Sequence, residues 1–335
     1  MSEKYKKYLL IATALTFAVI LATVVATLIF GNREGERQQS DSATESFKGA
    51  DKPYCILVTG EDKVSGLCDV IMLVSVDTRN ERICVMQIPR DTYAEYTDKS
   101  YKKLNGAANA LGGVEGLRAF FSQSLGVTID GYLALDLASF RRIIDTVGGV
   151  EIELDRAIRY TDAEQGLFID LPSGRQVLDG KKAEMLVRYR KGYADGDIGR
   201  LGAQKKFLAS LFASLQQKVN SDNAYSLAET LLDGLDTDIG IATAVALGLE
   251  ALTTKSDSLF FVTAPGEQIV AEKSGASYYV LSAASTDSLL CEYFGKSEEQ
   301  SFDESLAFRH PSYEGFISIY ESAREPLIVS AKELQ

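Results

Sequence analysis

A few short stretches of this chain concentrate side chains able to do chemistry. "TGED" ends on Asp62, "CDVIML" places Asp69 near its start, and "IPRDTY" carries Arg90 and Asp91. "VRYRKGYADGDIGR", Val187 to Arg200, gathers Arg188, Arg190 and Arg200. Arginine presents a planar fork of donors that grips phosphate oxygens two at a time, which a lysine ammonium does not. Arg188 and Arg190 are two apart, so a chain extended after a helix would point them the same way. Asp197 precedes a helical pattern containing Arg200 and Gln204. As an N-cap it would open a helix whose N-terminus, beside arginines, favours anions. The plainer reading is that these arginines balance the surrounding acids.

Asp62 and Asp69 fall near the ends of neighbouring strand patterns, where two carboxylates can share one divalent cation. Oxygen-only ligation with an incomplete protein cage suits Mg2+, which keeps waters and takes its remaining ligands from a phosphate. Two loop aspartates are also ordinary turn formers or caps. Arg90 has the same two readings: a strand-end salt bridge, or a cation aimed at the rim that holds Asp62 and Asp69. "KKLNGA", with Lys103 and Asn105, follows in a loop able to fold over that rim.

Other chemistries are excluded. The single histidine, His310, sits beside Pro311 in a weakly patterned segment, and there is no H-E-x-x-H, G-x-S-x-G or P-loop motif. The four cysteines, Cys55, Cys68, Cys84 and Cys291, show no C-x-x-C spacing, and neither a disulfide nor a thiolate metal site is expected of them. With 47 acidic against 35 basic side chains and a net charge of -12, the chain lacks the broad basic face that nucleic acid requires. Its basic clusters must act locally.

The elements that would position these residues begin after an apolar run. Residues 9–30 carry no charge and as a helix would reach about 33 Å, enough to span a bilayer. The run lacks the cleavage site of a signal peptide, so an uncleaved transmembrane anchor is expected. Lys4, Lys6 and Lys7 before it place residues 1–8 in the cytoplasm and the rest of the chain outside the cell membrane. Residues 31–52 read as a flexible stalk, 53–294 as the folded domain and 295–335 as a loosely packed tail. Strands are expected at Cys55 to Thr59, Val70 to Val76 and Ile83 to Ile88, the last two as an antiparallel hairpin around "DTRNER". Helices are expected at Val114 to Ser124, Leu137 to Val147, from Asp179 to near Arg188, and Gly199 to Val219. The mixed order of strands and helices predicts an α/β or α+β fold, a mixed central sheet flanked by helices.

The stretches "ILVTGED", "CDVIMLVSVDT", "IPRDTY", "KLNGA", "LGGVEGL", "DTVGGVEIEL" and "VRYRKGYADGDIGRLGAQKKF", in that order, resemble the LytR-CpsA-Psr proteins of bacterial cell-wall assembly. The resemblance implies a phosphotransferase that moves a glycopolymer, such as teichoic acid or capsular polysaccharide, from a polyprenyl pyrophosphate carrier onto peptidoglycan. It implies a greasy channel for the polyprenyl chain with a charged mouth for its pyrophosphate. Asp62 and Asp69 would hold Mg2+, and Arg90, Arg188, Arg190 and Arg200 would grip the pyrophosphate. Lys103 and Gln204 would complete the pocket, and Asp69 and Asp197 are both candidates for the general base. Phosphoryl transfer is catalysed mainly by positioning and charge neutralisation, which a metal and arginines supply without histidine.

This chain departs from the family pattern at two positions. Leu67 and Ala203 stand where the family usually has arginines, so pyrophosphate grip should weaken unless a lysine such as Lys63 or Lys191 substitutes. Two rival functions follow: a non-catalytic binder of lipid-linked glycan, and a polyprenyl pyrophosphate hydrolase. A transcriptional regulator is unattractive for an acidic domain outside the cell.

Overall fold

The computed structural model describes residues 50–62, 66–96, 103–162, 167–189, 197–218, 235–298, 306–308, 316–320 and 328–334. The expected anchor at 9–30, the stalk up to residue 49, Lys63, Arg190, Lys191 and His310 lie outside the described residues. No described helix is long and apolar enough to cross a membrane.

Three strands open the domain: β1 (Tyr54–Asp62), β2 (Leu67–Asp77) and β3 (Arg82–Gln87). Each is longer or shorter than its apolar run by a few residues. β1 pairs antiparallel with β2, and β2 antiparallel with β3, so the hairpin around "DTRNER" is as expected. Helix α1 (Val114–Leu125) then leads to β4 (Gly131–Leu135), which lies parallel to β1. Gly126, at φ 67°, closes α1 in the left-handed conformation that glycine adopts without a Cβ penalty.

Helix α2 (Leu137–Thr146) follows, capped by Asp136, whose side chain accepts from the Ser139 N–H. Two ribbons come next, β5 (Val150–Leu154) with β8 (Gly174–Leu178) and β6 (Ile158–Asp162) with β7 (Leu167–Leu171). Helix α3 (Gly180–Arg188) starts at the Asp179 cap, which accepts from the Lys182 N–H as its sequence position suggests. Helix α4 (Asp197–Lys218) begins at Asp197 itself, so that residue is helical rather than lying ahead of the helix.

The chain closes with β9 (Asp236–Thr237), α5 (Ile241–Thr253), β10 (Leu259–Thr263), β11 (Gly266–Ala271), β12 (Ser277–Leu281) and α6 (Ala283–Tyr293). Two further strands, β13 (Phe316–Tyr320) and β14 (Val329–Ser330), fall in the segment whose weak periodicity reads as a tail. They are part of the sheets: β13 pairs with β11, and β14 pairs with β10. β14 has only two residues, too few to register as a pattern.

The central sheet runs β14-β10-β3-β2-β1-β4-β9, with β1, β3, β4 and β10 all pointing one way. Its strands alternate between two buried faces, which is why they read as continuous apolar runs. Ile56, Val58, Met72, Val74 and Val85 meet α2, α3, α4 and α5 on one face, while Leu57, Ile71, Leu73 and Met86 meet α1 and α6 on the other. This is a mixed sheet between helical layers, as the element order predicts. The polar rim at the carboxyl ends of the parallel strands is where such folds bind ligands.

Candidate active site

The centre of the rim is a register break. Gly60 pairs with Val70, but Glu61 pairs with Cys68, so β2 carries one extra residue and that residue is Asp69. A bulge of this kind re-aims a side chain out of the alternation. It also explains why Cys68 and Ile71, three apart, pack in the same core. The Asp69 carboxylate meets Arg90, with Nη1 donating to Oδ1 at 2.7 Å and both side chains almost fully buried.

Arg90 arrives there through Pro89. Ile88 N–H still bonds the Ile71 carbonyl, and Pro89, with no N–H to give, ends the ladder. Thr92 then closes a turn, its N–H and Oγ1 both donating to the Pro89 carbonyl. The "KKLNGA" loop is strapped onto this turn: Leu104 N–H donates to the Thr92 carbonyl at 2.9 Å and Asn105 N–H to the Arg90 carbonyl at 3.0 Å. Lys103 is thereby brought to Asp91, 2.9 Å from Oδ1, and its ammonium sits 5.4 Å from the centre of the Tyr278 ring on β12. The loop does fold back as its sequence position suggests, and the smaller, three-stranded sheet β12-β11-β13 supplies part of the wall.

The second half of the site approaches on the α4 side. Gln87, the last residue of β3, donates to Gln204 at 3.3 Å, and Gln204 donates in turn to the Val187 carbonyl at 3.3 Å. This buried relay ties the strand that delivers Arg90 to the end of α3 that carries Arg188. Arg200 stands one turn before Gln204 on α4 and is 1% exposed. Lys205, its neighbour on the same helix, is also buried, and burial lowers its pKa below the usual lysine value.

Of the residues singled out by sequence, Asp69, Arg90, Lys103, Arg188, Arg200 and Gln204 therefore occupy described positions on elements that converge on one sheet end. Asp62 ends β1, paired in register with Leu67. The side chains of Asp62 and Asp197, and the whole of Arg190, lie outside the described residues, so the expected alignment of Arg188 with Arg190 does too. Among the described residues, no three histidine, cysteine, aspartate or glutamate side chains cluster as a metal site. Three hard-oxygen side chains come from segments that border the rim. Thr59 Oγ1 and Asn105 Oδ1 are buried without a hydrogen bond to a described residue, and the Asp69 carboxylate projects from the bulge. Oxygen donors of this kind are the type that a hard cation such as Mg2+ takes.

Glu184 is the residue that sequence reasoning missed. It lies 2.6 Å from Arg188 and 3.2 Å from Arg141, and it is itself buried. Its signal was the Glu-to-Arg spacing of four on a helix, a common surface pattern.

Beside this half of the site opens a cavity of about 510 Å3 whose walls include Ile152, Leu154, Ile158 and Leu186. Gly202 and Ala203 form its α4 side, with Arg156 and Lys206 also lining it. A long side chain at position 203 would project into this space. The four cysteines are free thiols. Burial pushes the thiols of Cys55, Cys68 and Cys84 far up, which removes them from nucleophilic chemistry at neutral pH.

The chain matches the model of the LytR_cpsA_psr family over residues 23–293 and belongs to that family. Two curated relatives are the "Polyisoprenyl-teichoic acid--peptidoglycan teichoic acid transferase TagV" of Bacillus subtilis and the "Regulatory protein MsrR" of Staphylococcus aureus. The first is 29% identical over 58% of this chain and 52% of its own length. The second is 30% identical over 57% and 59% respectively. The chain thus spans between half and three fifths of the length of these relatives. The crystal structure of B. subtilis TagV superposes with a TM-score of 0.63 at 23% identity, covering 74% of this chain and 99% of that one, and shares its fold.

Proposed function

We propose that this protein is a phosphotransferase that moves a glycopolymer from a polyprenyl pyrophosphate carrier to a hydroxyl of peptidoglycan. The observation that carries the reading is the Asp69–Arg90 pair, a carboxylate re-aimed by a bulge onto a buried arginine at the ligand-binding end of the sheet. Arg188, Arg200 and Lys103 bring further cationic side chains from three other segments, Arg188 and Lys103 each beside a carboxylate. Family membership and a relative named as a teichoic acid transferase support it further.

In the proposed reaction an acceptor hydroxyl oxygen attacks the phosphorus next to the glycan. A new P–O bond forms, the bond to the bridging oxygen breaks, and polyprenyl phosphate leaves with that oxygen. The proton of the hydroxyl passes to a carboxylate, for which Asp69 and Asp197 are the candidates. Arg90, Arg188 and Arg200 neutralise the pyrophosphate, Lys103 and Gln204 orient it, and Arg190 joins them from the segment between α3 and α4. Asp62 and Asp69 would hold Mg2+, which supplies charge neutralisation at the phosphate oxygens. The apolar cavity lined by Leu154 and Leu186 takes the first isoprene units of the carrier. Residues 9–30 anchor the protein in the cell membrane with this domain outside, within reach of a membrane-borne donor.

A second reading, a non-catalytic binder of the same lipid, draws on Ala203, which stands in the cavity wall where the family pattern has an arginine, with Arg156 and Lys206 as the cations that line it. The two separate in one experiment. Full-length protein in detergent receives a labelled polyprenyl pyrophosphate glycan, uncrosslinked peptidoglycan and Mg2+, beside an Arg188→Met control. Label entering peptidoglycan with wild type alone supports transfer; lipid retained without turnover makes it a binder, and free glycan phosphate without attachment makes it a hydrolase.

A further inference from the structure

Arg188 is held by a residue outside the set just described. Its Nη1 lies 2.6 Å from Glu184 Oε1, one turn earlier on α3, while Arg141 Nη1 of α2 lies 3.2 Å from the other oxygen, Oε2. Each carboxylate oxygen therefore has its own arginine, and the two arginines come from different helices. The helices can approach this closely because residue 180 is glycine: a Cβ there would collide with the Arg141 carbonyl. Asp145 on α2 completes the junction by accepting the Gly180 N–H at 2.7 Å.

An i,i+4 pair on an open helix surface would do little, since water screens it and the side chains move. Here the Glu184 side chain is 9% exposed and that of Arg188 13%, so the pair is largely screened from water. One oxygen is held by the charge-assisted hydrogen bond from Arg188 and the other by an ion pair with the half-exposed Arg141, so rotation of the carboxylate gives up one of the two. With Asp145 at the same junction the two guanidinium groups and two carboxylates balance, so the cluster orients Arg188 rather than adding net charge.

We propose that Glu184 is a positioning residue for the donor's pyrophosphate: it fixes the heading of the Arg188 guanidinium before the anion arrives, and Arg141 steadies Glu184. The inference rests on the phosphotransferase reading, which places Arg188 at the pyrophosphate. An arginine frozen in the free protein loses little side-chain freedom on binding, and that saving appears as affinity. The bland counterpart is a staple that merely joins α2 to α3.

The test is a double-substitution cycle on the full chain in detergent, read by calorimetric binding of farnesyl pyrophosphate with Mg2+, with melting temperatures in parallel. Glu184→Leu should weaken binding about fivefold, and Glu184→Gln, which keeps an oxygen toward Arg188, about twofold. In an Arg188→Met background, Glu184→Leu should make no further difference. A staple would lower the melting temperature equally in both backgrounds without this dependence on Arg188. Should Glu184→Leu fail to fold, the cycle runs with Glu184→Gln. Wild type that binds the probe while Glu184 variants bind it equally well, or lose equally in both backgrounds, overturns the inference alone. Wild type that binds no pyrophosphate overturns the functional reading and this inference with it.

Discussion

Asp69 and Arg90 meet at 2.7 Å with side chains 1% and 0% exposed, and they meet where the register of β2 with β1 skips Asp69. A buried pair of this kind is poor evidence for stability, because desolvating two charges costs about as much as their attraction returns. Breaking it is another matter. Asp69→Leu or Arg90→Met alone leaves a buried charge uncompensated and should cost about 3–5 kcal/mol in urea denaturation. The double substitution should recover most of that loss while remaining unable to transfer glycan. Single variants within about 1 kcal/mol of wild type would mean that water reaches the pair and that the bulge holds no buried ion pair. Activity loss in an Asp69 variant is accordingly interpretable only beside its folding measurement.

Tyr278 comes from the smaller sheet, far along the chain from the motifs, yet its ring receives the Lys103 ammonium and packs edge-on to Tyr93. Tyr278→Leu should raise the KM for the lipid donor about twofold to fivefold, the size of a cation–π contact near 1 kcal/mol. Tyr278→Phe, which keeps the ring face, should behave as wild type. If Leu and Phe give the same KM, the ring does not position Lys103. Asp91→Asn should have the larger effect, because it removes the charge 2.9 Å from the ammonium.

Lys205 predicts a pH dependence. Burial lowers its folded-state pKa from the usual 10.5, so the unfolded chain binds the proton more tightly than the folded one. Stability then carries a penalty that is complete below the lowered pKa and fades as pH rises toward 10.5. Lys205→Met should melt higher than wild type at pH 7, with the gap narrowing from pH 7 to pH 10. A gap that is constant with pH would assign the difference to packing rather than to charge.

Much of this arrangement was legible in the sequence, for reasons visible in particular residues. β1, β2 and β3 are buried on both faces, so their apolar runs announced them, and Asp179 and the glycine after α1 marked helix ends by cap chemistry that acts locally. Of the residues expected at the rim, Arg90 and Arg188 lie at or just past the ends of such patterned elements, β3 and α3. The short strands β13 and β14 escaped because their place in the sheets depends on partners far away in the chain. Glu184 escaped for a related reason. Its spacing to Arg188 is that of any solvated helix pair, and only the packing of α2 against Gly180 turns it into a buried clamp. The bulge at Asp69 left no sequence signal either, since a single extra residue in a continuous apolar run does not disturb the run.

Leu67 offers the last test, because it separates a weakened site from a lost one. It opens β2 directly across from Asp62 in the register and stands two residues before Asp69. It is half-buried, so a longer side chain can reach the rim without displacing the core. An arginine placed there would face the strand bearing Asp62, an arrangement that opposite charges across a strand pair tolerate well. If the site is active but short of cations, Leu67→Arg should tighten farnesyl pyrophosphate binding about fivefold, the order of one partly exposed charge-assisted contact near 1 kcal/mol, with transfer unchanged or faster. Ala203→Arg would add the same charge inside the apolar cavity, where it competes for space with the carrier's isoprene units. It should therefore improve binding of inorganic pyrophosphate more than binding of the lipid. Should Leu67→Arg abolish transfer while the protein stays folded, Leu67 is suited to the site as it stands, and a simple shortage of grip is the wrong account of this chain.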